Sequence, residues 1–150
     1  VSSLKSMNYF KGLGTYFDKV QRMRKLGGML SDELLISKDK VELSASICKV
    51  DLVSELVGEF PELQGIMGGY FAEAQGFEKD VCKAISEQYL PAGLNSKVPK
   101  KPYSVALSLA DKIDGAPTRN VCMPCNRCWS SAQENSSPVS ASLTLCFIFS

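Results

Sequence analysis

The chain has 150 residues, 45% hydrophobic and 22% charged, the range of an ordinary folded domain with room for a tail. Seventeen Lys and Arg against sixteen Asp and Glu leave a net charge of +1. No global field therefore draws it to nucleic acid or a membrane, and any such contact must come from a local patch. Histidine is absent, which excludes Ser-His-Asp and Cys-His catalysis and every metal site that needs an imidazole.

The opening VSSLKSMNYF lacks the apolar centre of a secretory signal, and no run reaches the roughly 18 apolar residues that span a bilayer. The expected location is the cytoplasm. A first residue of Val rather than Met is expected of a fragment or an alternative start. Residues 1–10 read as a lead-in. Over residues 15–35, Phe17, Val20, Met23, Leu26, Leu30 and Leu34 recur at three- and four-residue steps, one face of a helix, with Lys19, Arg22, Arg24 and Lys25 mostly off it. Gly27-Gly28 weakens its middle and predicts a kink or a close helix crossing.

Residues 38–57 predict a central, largely buried helix through Val41, Ala45, Cys48, Leu52 and Leu56, with Ser37 as N-cap and Gly58 and Pro61 as the stop. In EFPELQGIMGGYFAEAQG, Pro61 suits the first turn of a further helix whose apolar face is Leu63, Ile66, Met67, Tyr70, Phe71 and Ala74. Gly65, Gly68 and Gly69 lie on neighbouring turns, so another backbone is expected to approach closely there, and Gly76 ends the helix. A shorter helix over 77–90 runs through Val81, Cys82, Ile85 and Tyr89, and a Pro- and Gly-rich loop follows. A last helix over 103–115 runs through Val105, Leu109 and Ile113. No segment alternates as a strand does, so the expected fold class is all-α. Residues 116–150 change character, with four of the six cysteines, the one tryptophan and a serine-rich run.

KGLGTYFDKVQRM, CKVDLVSELVGEFPELQGIMGGYFAEAQG, AISEQYLP and VALSLADKIDG, in this order between Lys11 and Asp114, resemble the beta subunit of bacterial glycyl-tRNA synthetase. The block DLVSELVGEFPELQGIMGGYFA is long and idiosyncratic, which makes the likeness far more specific than a short motif. The resemblance implies an α2β2 ligase that joins glycine to its tRNA with ATP. ATP and Mg are used at the alpha subunit, and the longer beta subunit mainly binds tRNA. This chain would then be a fragment, residues 11–115 forming an HD-like helical bundle, non-catalytic alone and without a cofactor of its own. Its partners would be glycine tRNA, the alpha subunit and the remainder of the beta subunit. The likeness stops at GAPTRNVCMPCNRC, where the family's Gly-rich turn and Arg-containing segment would follow.

HD-type phosphohydrolases hold metal with His, a His-Asp pair and a later Asp. Asp51 resembles the Asp of the pair and Asp111 the later one, while Val50 stands where the pair's His would be. Two carboxylates without imidazoles make a poor transition-metal site, though Mg²⁺ accepts oxygen ligands. The expectation is a surviving scaffold with no catalytic residue and no metal. Lys19, Arg22, Arg24 and Lys25, and Lys97, Lys100 and Lys101 in the proline-bounded loop, are the candidate tRNA-phosphate contacts, against the reading of ordinary solvated faces. Glu59, Glu62 and Gln64 read as helix-start residues or as contacts to tRNA or to another part of the subunit, and Tyr70 and Phe71 read as core. Cys122, Cys125 and Cys128 form C-x2-C-x2-C, whose nearest fourth ligand is Cys146. A frameshifted, decayed or disordered end explains them better than a zinc site does. The rival functions are an HD-type metal-dependent phosphohydrolase and a zinc-binding interaction module on the tail. Residues 8–115 are expected to be better behaved in solution than the full chain, which ends in the apolar LTLCFIF.

Overall fold

The computed structural model describes residues 1–10 and 12–116. The cysteines of the C-terminal stretch, Cys122, Cys125, Cys128 and Cys146, lie outside the described residues, and so do the tail and zinc readings built on them.

The described residues are mostly helical: α1 (Tyr16–Glu33), α2 (Lys38–Ile47), α3 (Glu55–Glu59), α4 (Ile66–Ala74), α5 (Lys79–Glu87) and α6 (Pro102–Gly115), with 3-10 turns at Ser2–Lys5, Val50–Val53 and Pro61–Leu63. A short antiparallel hairpin, β1 (Asn8–Phe10) and β2 (Gly14–Thr15), precedes α1. These strands are too short for alternation to show. They lead into a capping box in which Thr15 accepts from the Asp18 N–H while Asp18 Oδ2 accepts from the Thr15 N–H at 2.8 Å. The first residues also belong to the packed body, since Leu4 is fully buried and its turn rests on α1.

α1 packs on α2 and on α6, and α5 packs on α4 and α6. Met23, Ala45, Cys48, Ala72, Ile85 and Leu107 meet in the apolar centre. Cys48 and Cys82 are free thiols buried there, and burial pushes the Cys48 thiol up to about 12. Gly27 and Gly28 lie in an uninterrupted α1 and let α2 close in: a Cβ on Gly27 would stand 2.7 Å from Val41 Cγ1. The close crossing expected there is present.

The helix expected over 38–57 divides. α2 stops at Ile47, and the chain turns through Val50–Val53 before α3 begins at Glu55. Two polar side chains carry the break. Asp51 Oδ2 accepts from the Gly65 N–H at 2.6 Å, and Ser54 Oγ accepts from the Val57 N–H and so caps α3. Likewise Pro61 opens a 3-10 turn, and α4 starts only after Gly65, whose φ of +83° favours glycine.

Two expected faces are rotated, with Met67, Phe71 and Val105 of the expected sides half-buried. On α4 the buried side is Gly68, Gly69 and Ala72, while Ile66 and Tyr70, read as core, are exposed. The glycine side is pressed on α5, where a Cβ on Gly69 would lie 3.0 Å from the Cys82 carbonyl oxygen. On α6 the inward side is Ser104, Leu107, Ser108, Asp111 and Asp114, and Leu109 and Ile113 point out. The reason lies in a polar interior.

Candidate functional site

Asp111 and Asp114 stand one helical turn apart on α6, and Lys19 and Arg22 stand one turn apart on α1, which packs against it. The sequence places Lys19 mostly off the apolar face, open to phosphate. Instead it is 3% exposed, with its Nζ 3.2 Å from Asp111 Oδ1 and 3.1 Å from Asp114 Oδ2. The aliphatic stem of lysine packs like an apolar residue, so an inward lysine is indistinguishable in periodicity from an outward one until its carboxylate partners are placed. Arg22, partly exposed, grips Asp114 through Nε at 2.5 Å and Nη2 at 3.3 Å, and donates from Nη1 to the Leu13 carbonyl.

A second lysine enters from the opposite side. Lys49, just ahead of the Val50–Val53 turn, is among the largest fully buried side chains, and its Nζ lies 2.9 Å from Asp111 Oδ1. It donates to Tyr89 Oη at 2.7 Å and sits 4.2 Å from the Tyr89 ring centroid. Lys19 repeats the arrangement over Tyr9, at 4.6 Å. The junction thus ties the hairpin, α1, the Val50–Val53 turn, the end of α5, and α6 through three cations and two carboxylates.

Asp111, Lys49 and Arg22 are each held in the charged form by a partner. Burial pushes the Asp111 carboxyl up, but Lys49 and then Lys19 outweigh it and hold it at about 2. Burial likewise draws the Lys49 ammonium down, and Asp111 followed by Tyr89 reverses this, leaving it above the ordinary lysine value. The hydrogen bond to Asp114 raises Arg22. Asp51 differs: burial raises its carboxyl against the opposing pull of the Gly65 N–H and the Lys49 charge. Its Oδ1 has no hydrogen-bond partner among the described residues.

A divalent cation on Asp51 and Asp111 does not fit this chemistry. Asp111 Oδ1 already faces two ammonium groups, and a metal ion there would add two further positive charges within a few ångströms of both. Asp51 Oδ2 is committed to the Gly65 backbone. Among the described residues no three His, Cys, Asp or Glu side chains gather as a metal site would require.

The other candidate phosphate contacts divide by their commitments. Arg24 is half-buried and pairs with Glu42 at 3.1 Å. Lys25, Lys97 and Lys100 are exposed and carry no ion pair among the described residues. Lys101 is exposed and only 3.9 Å from Asp80 Oδ1, a loose pair. Lys25 borders a shallow apolar groove formed by Leu13, Leu26 and Ile113. The lysines thus fall into an inward set that builds the fold and an outward set on α1 and the 91–101 loop.

The class defined by this fold and site is a mostly helical domain knit by a buried ionic junction, with lysines left on its exterior. The profile of the family described as glycyl-tRNA synthetase beta subunit matches residues 1–116. The chain is 44% identical over 115 residues to the glycine–tRNA ligase beta subunit of Thermodesulfovibrio yellowstonii. It is 47% identical over 116 residues to that of Citrifermentans bemidjiense and 48% over 115 to that of a Geobacter species. Each match covers 76% of this chain and 17% of the relative. The chain therefore belongs to the family of glycyl-tRNA synthetase beta subunits, and it spans about a sixth of the length of the curated relatives it matches. Among the described residues, no helix is long and apolar enough to cross a membrane.

Proposed function

We propose that this chain is the tRNA-contacting helical portion of a glycine–tRNA ligase beta subunit and takes part in ATP-dependent charging of glycine tRNA in the cytoplasm. Family membership over residues 1–116 is the observation that carries the reading. In an α2β2 ligase, ATP and Mg would act at the alpha subunit, and this portion would supply affinity rather than chemistry. Lys25, Lys97, Lys100 and Lys101 remain as phosphate contacts, because their ammonium groups are exposed and at most loosely paired. Lys19 leaves the set, since its charge is buried against two aspartates. Arg22 and Arg24 would have to release Asp114 and Glu42 first. In this reading the bundle keeps an HD-like scaffold without hydrolytic chemistry, and what supports the loss of that chemistry is that Lys19 and Lys49 occupy Asp111 Oδ1.

The test is filter binding of the full chain to glycine tRNA at two salt concentrations. Binding should weaken with salt, and Lys25→Gln/Lys97→Gln/Lys100→Gln should weaken it further and lower the salt slope by roughly 2–3, about one for each phosphate left without its lysine. No binding at low salt, or an unchanged slope in the triple variant, refutes the assignment.

A further inference from the structure

α4 has one charged residue, Glu73, in nine, the rest being apolar or glycine. A helix apolar on nearly all sides belongs in an interior. Yet among the described residues its glycine side is the one fully covered, by α5 and by Asp51, while Met67 and Phe71 are half-buried. Ile66 and Tyr70, one turn apart on the other side, are 45% and 62% exposed. Just upstream, Leu56 in α3 and Phe60, the residue that follows that helix, are also exposed. Such a concentration of exposed apolar side chains is more than scattered surface leucines supply.

The charges of the same region identify what covers it. From Val50 to Glu78 there is no Lys or Arg. Glu55, Glu59, Glu62 and Glu73 are all exposed, and none pairs with a cation among the described residues. A stretch whose exposed charges are all acidic repels phosphates, so it is unsuited to tRNA and suited to a protein surface that offers aliphatic side chains together with Lys or Arg. The matched relatives extend far past this stretch, which is 17% of their length. Resting on the function proposed above, we propose that the exposed side of α4, centred on Ile66 and Tyr70 in a stretch whose exposed charges are all glutamates, is the docking surface for the rest of the beta subunit, through a basic, aliphatic patch there.

The experiment replaces the matched stretch of the whole Citrifermentans bemidjiense subunit with residues 1–116 of this chain, and compares hydroxyl-radical labelling of Tyr70 with that in the 150-residue chain. Labelling should slow by about fivefold or more in the long subunit alone, as for a residue at the dry centre of an interface. Equal rates overturn the proposal. So does protection that appears only when glycine tRNA or the alpha subunit is added, since the occupant is then a different molecule. A second measurement stands if the hybrid fails to fold. In the 150-residue chain, Ile66→Glu/Tyr70→Glu should move the melting temperature by no more than about 2 °C, as expected of uncovered side chains. A fall of about 10 °C or more would show this side to be internal to the chain, and the proposal would fail.

Discussion

Replacing Lys49 with Met keeps most of the aliphatic stem and removes the ammonium. Asp111 then keeps only Lys19, at 3.2 Å, and Tyr89 Oη loses a donor at 2.7 Å. Breaking a buried ion pair from one side costs about 3–5 kcal/mol, and the surviving Lys19 pairing places the loss near the lower end, about 3 kcal/mol. With a urea slope of about 2 kcal/mol/M, the unfolding midpoint followed by circular dichroism should fall by about 1.5 M. Arg24→Met is the control, since its pair with Glu42 is partly solvated and worth roughly 0–1 kcal/mol. Because the two side chains face each other directly, Lys49→Met/Asp111→Leu should lose less than the two single changes summed. Equal losses for Lys49→Met and Arg24→Met would refute the reading of Lys49 as a committed structural charge.

Acid should reach the junction through Asp111. Its folded value of about 2 lies below the ordinary 3.8, so its contribution is complete above 3.8 and disappears as pH falls from there toward 2. That is about 2 kcal/mol at roughly 1.4 kcal/mol per unit. Asp51 has the opposite sign: its raised carboxyl favours folding at low pH, a share that vanishes as pH rises past its unfolded value. Urea midpoints between pH 2 and 6 should therefore vary less in Asp111→Asn than in the parent, and an unchanged dependence counts against the assignment. Gly69→Ala should destabilise by about 1 kcal/mol, overpacking against the Cys82 carbonyl outweighing the gain in helix propensity, whereas Gly58→Ala, with nothing within 4 Å, should be neutral or stabilising. Thermal melts of both variants check the signs. Leu4→Ala should lose about 2–3 kcal/mol from a fully buried site, so a polypeptide beginning at residue 8 should melt below one beginning at residue 1; equal melting would refute the place of Leu4 in the core.

The helical class and most of the helix positions were legible, because α1, α5 and α6 carry apolar residues at helical spacing between clear stops. The tight crossings at Gly27 and Gly69 were legible too, since paired glycines in a helix have few other uses. Hidden from periodicity were the turns made by side chains: Asp51 and Ser54 read as interior helix residues, yet one holds the Gly65 backbone and the other caps α3. The faces of α4 and α6 were misread for a related reason. Burial there follows glycine on one helix and ionised aspartate on the other, and an apolar count scores neither as core. A signal was present in the two one-turn pairs of opposite charge, Lys19 with Arg22 and Asp111 with Asp114. Only the packing of α1 on α6 shows that they meet. Lys49 offered no comparable cue, its partners lying far away in sequence at Tyr89 and Asp111.

That ammonium groups rather than a metal ion neutralise Asp111 is tested most directly by melting the full chain in EDTA and in about 10 mM Mg²⁺ or Mn²⁺. An ion bound at a hundredfold excess over its Kd would add about 2.7 kcal/mol, a rise of several degrees in a domain of this size. With Lys19 and Lys49 in place the two curves should coincide. A melting temperature that climbs with the divalent ion and falls back in Asp111→Asn would contradict the account.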